Sequence, residues 1–122
     1  MASWREIPGV QERGFRATVG LEEVSLFGSA DGAAVALLES LIKRVHAEAL
    51  ASGSQAVVLD ITGLEFMSAA CFRLVIDWIG MIQSAELPHR YQLRIRPNDT
   101  IPWQRRSLKT LACFATNLVT LL

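Results

Sequence analysis

The sequence predicts an α/β domain in which a mixed sheet of about four to five strands carries three or more helices. Three observations lead there. Stretches with strand-like apolar alternation take turns with stretches of helical spacing along the chain. Glycine, proline, serine and aspartate punctuate the boundaries. The first two strand-like stretches follow one another directly, so a hairpin precedes the parallel crossovers. With 122 residues, 51% of them hydrophobic, the chain fits one domain over residues 1–122 and can bury a core without disulfides or metals.

Residues 1–12, with Pro8 and Gly9, read as an irregular or poorly ordered lead-in. From Gly14 to Val19, Phe15, Ala17 and Val19 alternate with Arg16 and Thr18, the pattern of a half-buried strand. Val24, Leu26 and Phe27 mark a second strand, closed by Gly28. Ser29-Ala30-Asp31-Gly32 supplies oxygens for the orphan N–H groups of a helix start. Val35, Leu38, Leu41, Ile42, Val45 and Ala49 then recur at helical spacing, with Glu39, Lys43, Arg44, His46 and Glu48 on other faces. Ala51-Ser52-Gly53-Ser54 ends that helix.

Ala56 to Ile61 is a continuous apolar run broken only by Asp60, which reads as a central strand buried on both faces. Thr62-Gly63 reads as a turn and Leu64 to Met67 as a connector. Ser68 caps a helix over about Ala69 to Ala85. Past Pro88, Tyr91, Leu93 and Ile95 alternate with Gln92, Arg94 and Arg96 as another strand. Asp99 to Pro102 opens a third helix with Leu108, Leu111, Ala112 and Ala115 as its apolar stripe. Asn117 to Leu122 fits a last short strand.

Lys plus Arg equals Asp plus Glu at 12 each. That balance opposes a nucleic-acid binder, whose affinity rests on many cationic phosphate contacts, and a polybasic membrane-surface module. No signal peptide is recognisable, and the longest apolar run, Phe72 to Ile82, is interrupted by Arg73, Asp77 and Gly80. Cys71 and Cys113 lack CxxC spacing and read as buried thiols of a reduced, cytoplasmic compartment. His46 and His89 have no metal-ligand spacing and read as solvated side chains. No metal, cofactor or catalytic residue is expected. The one enzymatic reading, a Cys71 thiolate at a helix start, has no recognisable base or oxyanion hole. Trp103 reads as a staple of the last helix to the sheet edge.

Leu59-Asp60-Ile61-Thr62-Gly63-Leu64-Glu65-Phe66-Met67-Ser68 resembles the signature of the STAS family, the sulphate transporter and anti-sigma factor antagonist domains. The order of elements resembles that fold over nearly the whole chain. Pro102 to Lys109 is similar to a Trp-Gln stretch of one bacterial STAS subfamily of regulators. The resemblance implies a non-enzymatic signalling module that binds a protein. Its implied partner is an anti-sigma factor, a switch kinase or a stressosome-like scaffold. The alternative it implies is a cytoplasmic STAS subunit of a transport complex such as a lipid ABC transporter.

In antagonist members of the family, a serine at the start of this helix accepts phosphate and releases the partner. Carried over by position, Ser68 stands at the family's Asp or Asn, Ala69 at the phosphoacceptor, Ala70 at the next hydroxyl and Cys71 at the glycine. Alanine has no oxygen to phosphorylate, so the resemblance implies a domain not switched in the usual way. Ser68 itself reads as an N-cap, with a phosphoacceptor as the other reading.

On a helical wheel, Arg73, Asp77, Gly80 and Ser84 form a polar stripe opposite Cys71, Val75, Trp78, Ile79 and Ile82. Leu74, Ile76 and Met81 widen the apolar arc beyond what one-sided packing needs. Either neighbouring helices cover those flanks, or one flank is the partner surface. The expected surface comprises Ser68, Ala69, Ala70, Arg73, Leu74, Asp77 and Met81.

Overall fold

Chain order and sheet order coincide in this protein. The structure, a computed structural model, describes residues 3–122, the Phe114 side chain excepted. Met1 and Ala2 of the expected lead-in lie outside the described residues. The elements are β1 (Val10–Glu12), β2 (Phe15–Gly20), β3 (Glu23–Ala30), α1 (Val35–Ala51), β4 (Ala56–Met67), α2 (Ala69–Ser84), β5 (Gln92–Arg96), α3 (Pro102–Phe114) and β6 (Val119–Leu121). They build one six-stranded sheet in the order β1-β2-β3-β4-β5-β6. Strands β1 to β3 pair antiparallel, and each later pair is parallel, with one helix as each crossover. Six strands exceed the expected count because the lead-in supplies one.

Alternation along the strands shows one covered face. Ala17, Leu26, Val24, Leu59 and Ile95 are buried and meet in register across neighbouring strands. Arg16, Ser25, Asp60 and Arg96 point the other way and are half-exposed or exposed. Successive right-handed crossovers advancing in one direction put every helix on the same side. That corrects the expectation for β4: it is buried on one face, and Val58 and Asp60 reach the open one.

Three boundaries also differ from the sequence reading. The lead-in is packed: Trp4, in a 3-10 turn over Trp4–Glu6, and Ile7 are buried against the core, and β1 follows. Strand β3 continues through Gly28, whose φ of +83° is open to glycine, and the Ser29 N–H donates to the Gly14 carbonyl at 2.8 Å. Strand β4 continues through the expected turn at Thr62-Gly63, because it takes up extra residues against β3 at two irregularities. At Gly63 the Phe27 ring lies so close that an added Cβ would sit 2.7 Å from its Cδ1.

The outer half of β4 outlasts its neighbour. Strand β5 ends at Arg96, paired with Asp60, so the residues beyond have no ladder partner on that side. Side chains from the β5–α3 connection and the first turn of α3 replace the missing strand. Gln104 Nε2 donates to the carbonyls of Ile61 at 2.8 Å and Leu64 at 3.0 Å. Asn98 Nδ2 donates to Thr62 at 3.0 Å and Trp103 Nε1 to Glu65 at 2.9 Å. Gln104 is 1% exposed, and its Oε1 accepts from the Asn98 N–H at 2.7 Å, which completes its hydrogen bonding. Replacing Gln104 by Leu keeps the volume and strands these buried groups, so a loss of about 2–4 kcal/mol is expected in urea unfolding. Gln104→Leu with wild-type stability would show that the carbonyls find other partners.

Candidate functional site

The end of β4 delivers the chain to α2, and the turn between them sets the site. Ser68, half-buried and extended at φ −67°, ψ 160°, accepts the Cys71 N–H on its Oγ at 3.2 Å. Its own N–H donates to the Ala30 carbonyl at 2.8 Å, fixing the helix start to β3. Cys71 is fully buried and its thiol donates to the Asp31 carbonyl at 3.4 Å. Its sulfur therefore faces protein and not a cleft. Cys113 is exposed on α3, against the expectation of a buried thiol, because its position lies off the Leu108–Leu111 stripe.

Beyond the cap, α2 turns one continuous face outward. Ala69, Ala70, Arg73 and Asp77 are exposed, and Met81 is half-buried. Arg73 and Asp77 approach to 4.0 Å with both side chains largely in water, so the pair contributes only a few tenths of a kcal/mol. Leu74 differs: it is 8% exposed, covered by α1. Leu74, Asp77 and Met81 join Glu39, Ile42 and Lys43 of α1 around a groove of about 250 Å3. The Glu39–Lys43 pair at 3.4 Å stands on one rim and Arg73–Asp77 near the other. Ser68, Ala69 and Ala70 lie at the helix start, outside that groove. Next to them Phe66 is 48% exposed, a large apolar side chain in the stretch that the sequence reads as a connector.

The larger depression, about 720 Å3, lies elsewhere. It is a broad hollow by the β2–β3 turn, with Glu22 and Glu23 balancing Arg94 and Arg96. Its charges cancel, and it does not include the α2 surface. On the open face of the sheet, Arg96 donates to Glu23 at 2.8 Å and to Asp60 at 2.9 Å. Burial pushes the Asp60 carboxyl up, but hydrogen bonds from the Thr62 hydroxyl and N–H and from Arg96 outweigh it and hold the group below its ordinary value. Asp60 thus ties β3, β4 and β5 together.

No family model matches the sequence, and no curated protein does. Among solved structures the fold is similar to that of an anti-sigma factor antagonist from Mycobacterium paratuberculosis, with a TM-score of 0.57. The likeness covers 92% of this chain and 81% of that one at 16% identity. The chain has a STAS-like fold. The mixed six-stranded sheet with its three crossover helices is what carries that fold here. In this STAS-like chain the described residues hold no cluster of His, Cys, Asp or Glu suited to a metal, and no helix long and apolar enough to cross a membrane. His46 is not a solvated side chain as expected: its Nδ1 lies 2.7 Å from the Tyr91 hydroxyl, because α1 turns it toward α2 and β5.

Ser68→Ala removes one cap and is expected to cost about 1 kcal/mol in chemical denaturation. Faster amide exchange at Cys71 should accompany it. Unchanged exchange would mean the Ser68 hydroxyl does not hold that N–H.

Proposed function

We infer that this STAS-like chain is a non-enzymatic regulatory module of the cytoplasm that docks a protein partner on the outward face of α2. The observation that carries this reading is the surface itself. Ala69, Ala70, Arg73 and Asp77 form an exposed face that continues into the groove between α1 and α2, with Phe66 exposed at its start. Small side chains at the helix start let another backbone or side chain approach closely, and the flanking ion pairs set orientation more than affinity. Leu74 and Ile42 floor the groove and contribute shape.

The partner is a regulator such as an anti-sigma factor, a switch kinase or a stressosome-like scaffold. The antagonist named among the solved structures supports that class of partner through its fold. Ala69 occupies the position where the resemblance expects the phosphoacceptor, and it is exposed. Docking here is therefore not released by a phosphate at that residue. The same absence suits a subunit of a transport complex, such as a lipid ABC transporter, and the identity of the captured partner separates the two.

Tagged protein expressed in its native host tests the reading. Capture of a signalling regulator is expected, with Ala70→Glu lowering recovery at least about tenfold, the equivalent of 1.4 kcal/mol. Urea unfolding of Ala70→Glu should match the wild type, since the side chain is exposed. Equal recovery by both proteins would remove the α2 face as the docking surface. Intact-mass analysis of the same material should show no phosphate; one mapped to Ser68 would overturn the reading of that residue as a helix cap alone.

A further inference from the structure

Three side chains from α1, α2 and the residue before β5 form a hydrogen-bonded series that the docking face does not use. Trp78 Nε1–H donates to the Tyr91 hydroxyl at 2.7 Å, and that hydroxyl lies 2.7 Å from His46 Nδ1. Trp78 and Tyr91 are buried, and His46 is half-buried. An indole N–H can only donate. The Tyr91 oxygen therefore receives from Trp78, and because a buried hydroxyl hydrogen needs an acceptor and His46 Nδ1 is the acceptor beside it, Tyr91 donates to His46. His46 Nδ1 must then be the bare nitrogen, with the ring neutral and its hydrogen on Nε2. Burial lowers the His46 pKa below 6.5, and burial raises that of Tyr91, which keeps the phenol a donor.

The paired charged groups on the surrounding elements have partners other than His46, and Arg44 and Glu48, two residues to either side of it on α1, form no ion pair with it. On α1, Lys43 sits one turn before His46 and pairs with Glu39 at 3.4 Å. On α2, Asp77 beside Trp78 lies 4.0 Å from Arg73. Ahead of β5, Arg90 donates to the Ala85 carbonyl at 3.0 Å, and His89 lies 3.9 Å from Glu86. Among the described residues none of them forms an ion pair with His46.

We propose that the His46–Tyr91–Trp78 series is a proton-responsive joint between α1 and α2, which protonation of His46 breaks and so loosens the groove floored by Ile42 and Leu74. A proton on Nδ1 turns the acceptor into a donor facing a hydroxyl that already receives from Trp78. The hydrogen of Tyr91 is then left without an acceptor in a buried site, which is unfavourable. His46 moves outward instead. It lies one turn from Ile42 and Lys43, and Trp78 lies one turn from Leu74 and Met81, so the groove walls move with it. The sign follows from linkage. Above pH 6.5 the neutral ring is present in both folded and unfolded chains and the joint is intact. As pH falls from 6.5 through the lowered folded-state value, the unfolded chain binds the proton first and stability is lost.

What the joint regulates rests on the docking role of the α2 face, but the joint itself is tested without any partner. NMR spectra of the isolated chain are followed from about pH 8 to about pH 5, the range in which histidine changes charge. The His46 ring, the Trp78 indole N–H and the Met81 methyl are expected to shift together, with one midpoint below 6.5. In His46→Gln, which keeps an acceptor oxygen and cannot titrate, the Trp78 and Met81 shifts should vanish. In Tyr91→Phe, His46 should titrate alone. Trp78 and Met81 signals that stay still while His46 titrates, or that still respond in either variant, would overturn the joint. None of these outcomes bears on recovery of a partner by the Ala70→Glu comparison.

Discussion

Halfway along β4 its neighbour stops, and what takes the place of that neighbour is a single buried amide. Gln104 reaches from the first turn of α3 to the carbonyls of Ile61 and Leu64, while its own oxygen holds the Asn98 N–H. Trp103 and Asn98 extend the same substitution to Glu65 and Thr62. Buried carbonyls without donors cost more than most contacts contribute, so this patch decides whether the outer half of β4 remains a strand. Everything downstream depends on it. The exposed Phe66, the Ser68 cap and the outward face of α2 are all aimed by where that half-strand ends.

The same dependence explains what was legible in the sequence. Phe15–Val19 and Tyr91–Arg96 alternate cleanly because each crosses one covered and one open face at constant register. In β4 the alternation is masked twice. Val58 puts an aliphatic side chain on the open face, so the run from Ala56 to Ile61 looks buried on both sides. The irregularities then bring both Ile61 and Leu64 inward three residues apart, a spacing foreign to a regular strand. The packed lead-in was hidden for a different reason: among its described residues the buried anchors are Trp4 and Ile7, with Val10 partly buried, set amid exposed residues.

At the site, local chemistry could be read and assembly could not. A serine before an apolar helical pattern announces a cap, and alanine at the phosphoacceptor position of a resembling motif is visible at once. Glu39, Ile42 and Lys43 enter the groove only through the way α1 lies on α2. The same packing buries Leu74 yet leaves Met81 partly open. His46 meets Tyr91 across 45 residues of chain, and no periodicity in either segment encodes that meeting.

The coincidence of chain order with sheet order has a consequence for synthesis. Each strand adds to the edge laid down just before it, so the nascent chain closes short loops in sequence and needs no distant strand to wait for. Growth from the N-terminus can proceed this way up to β5. Gln104, however, emerges only after β4, α2 and β5 have been made. Until it leaves the ribosome, the half-strand leading to Ser68 has bare carbonyls on one edge, and the outward face of α2 is set in place only once α3 has been made.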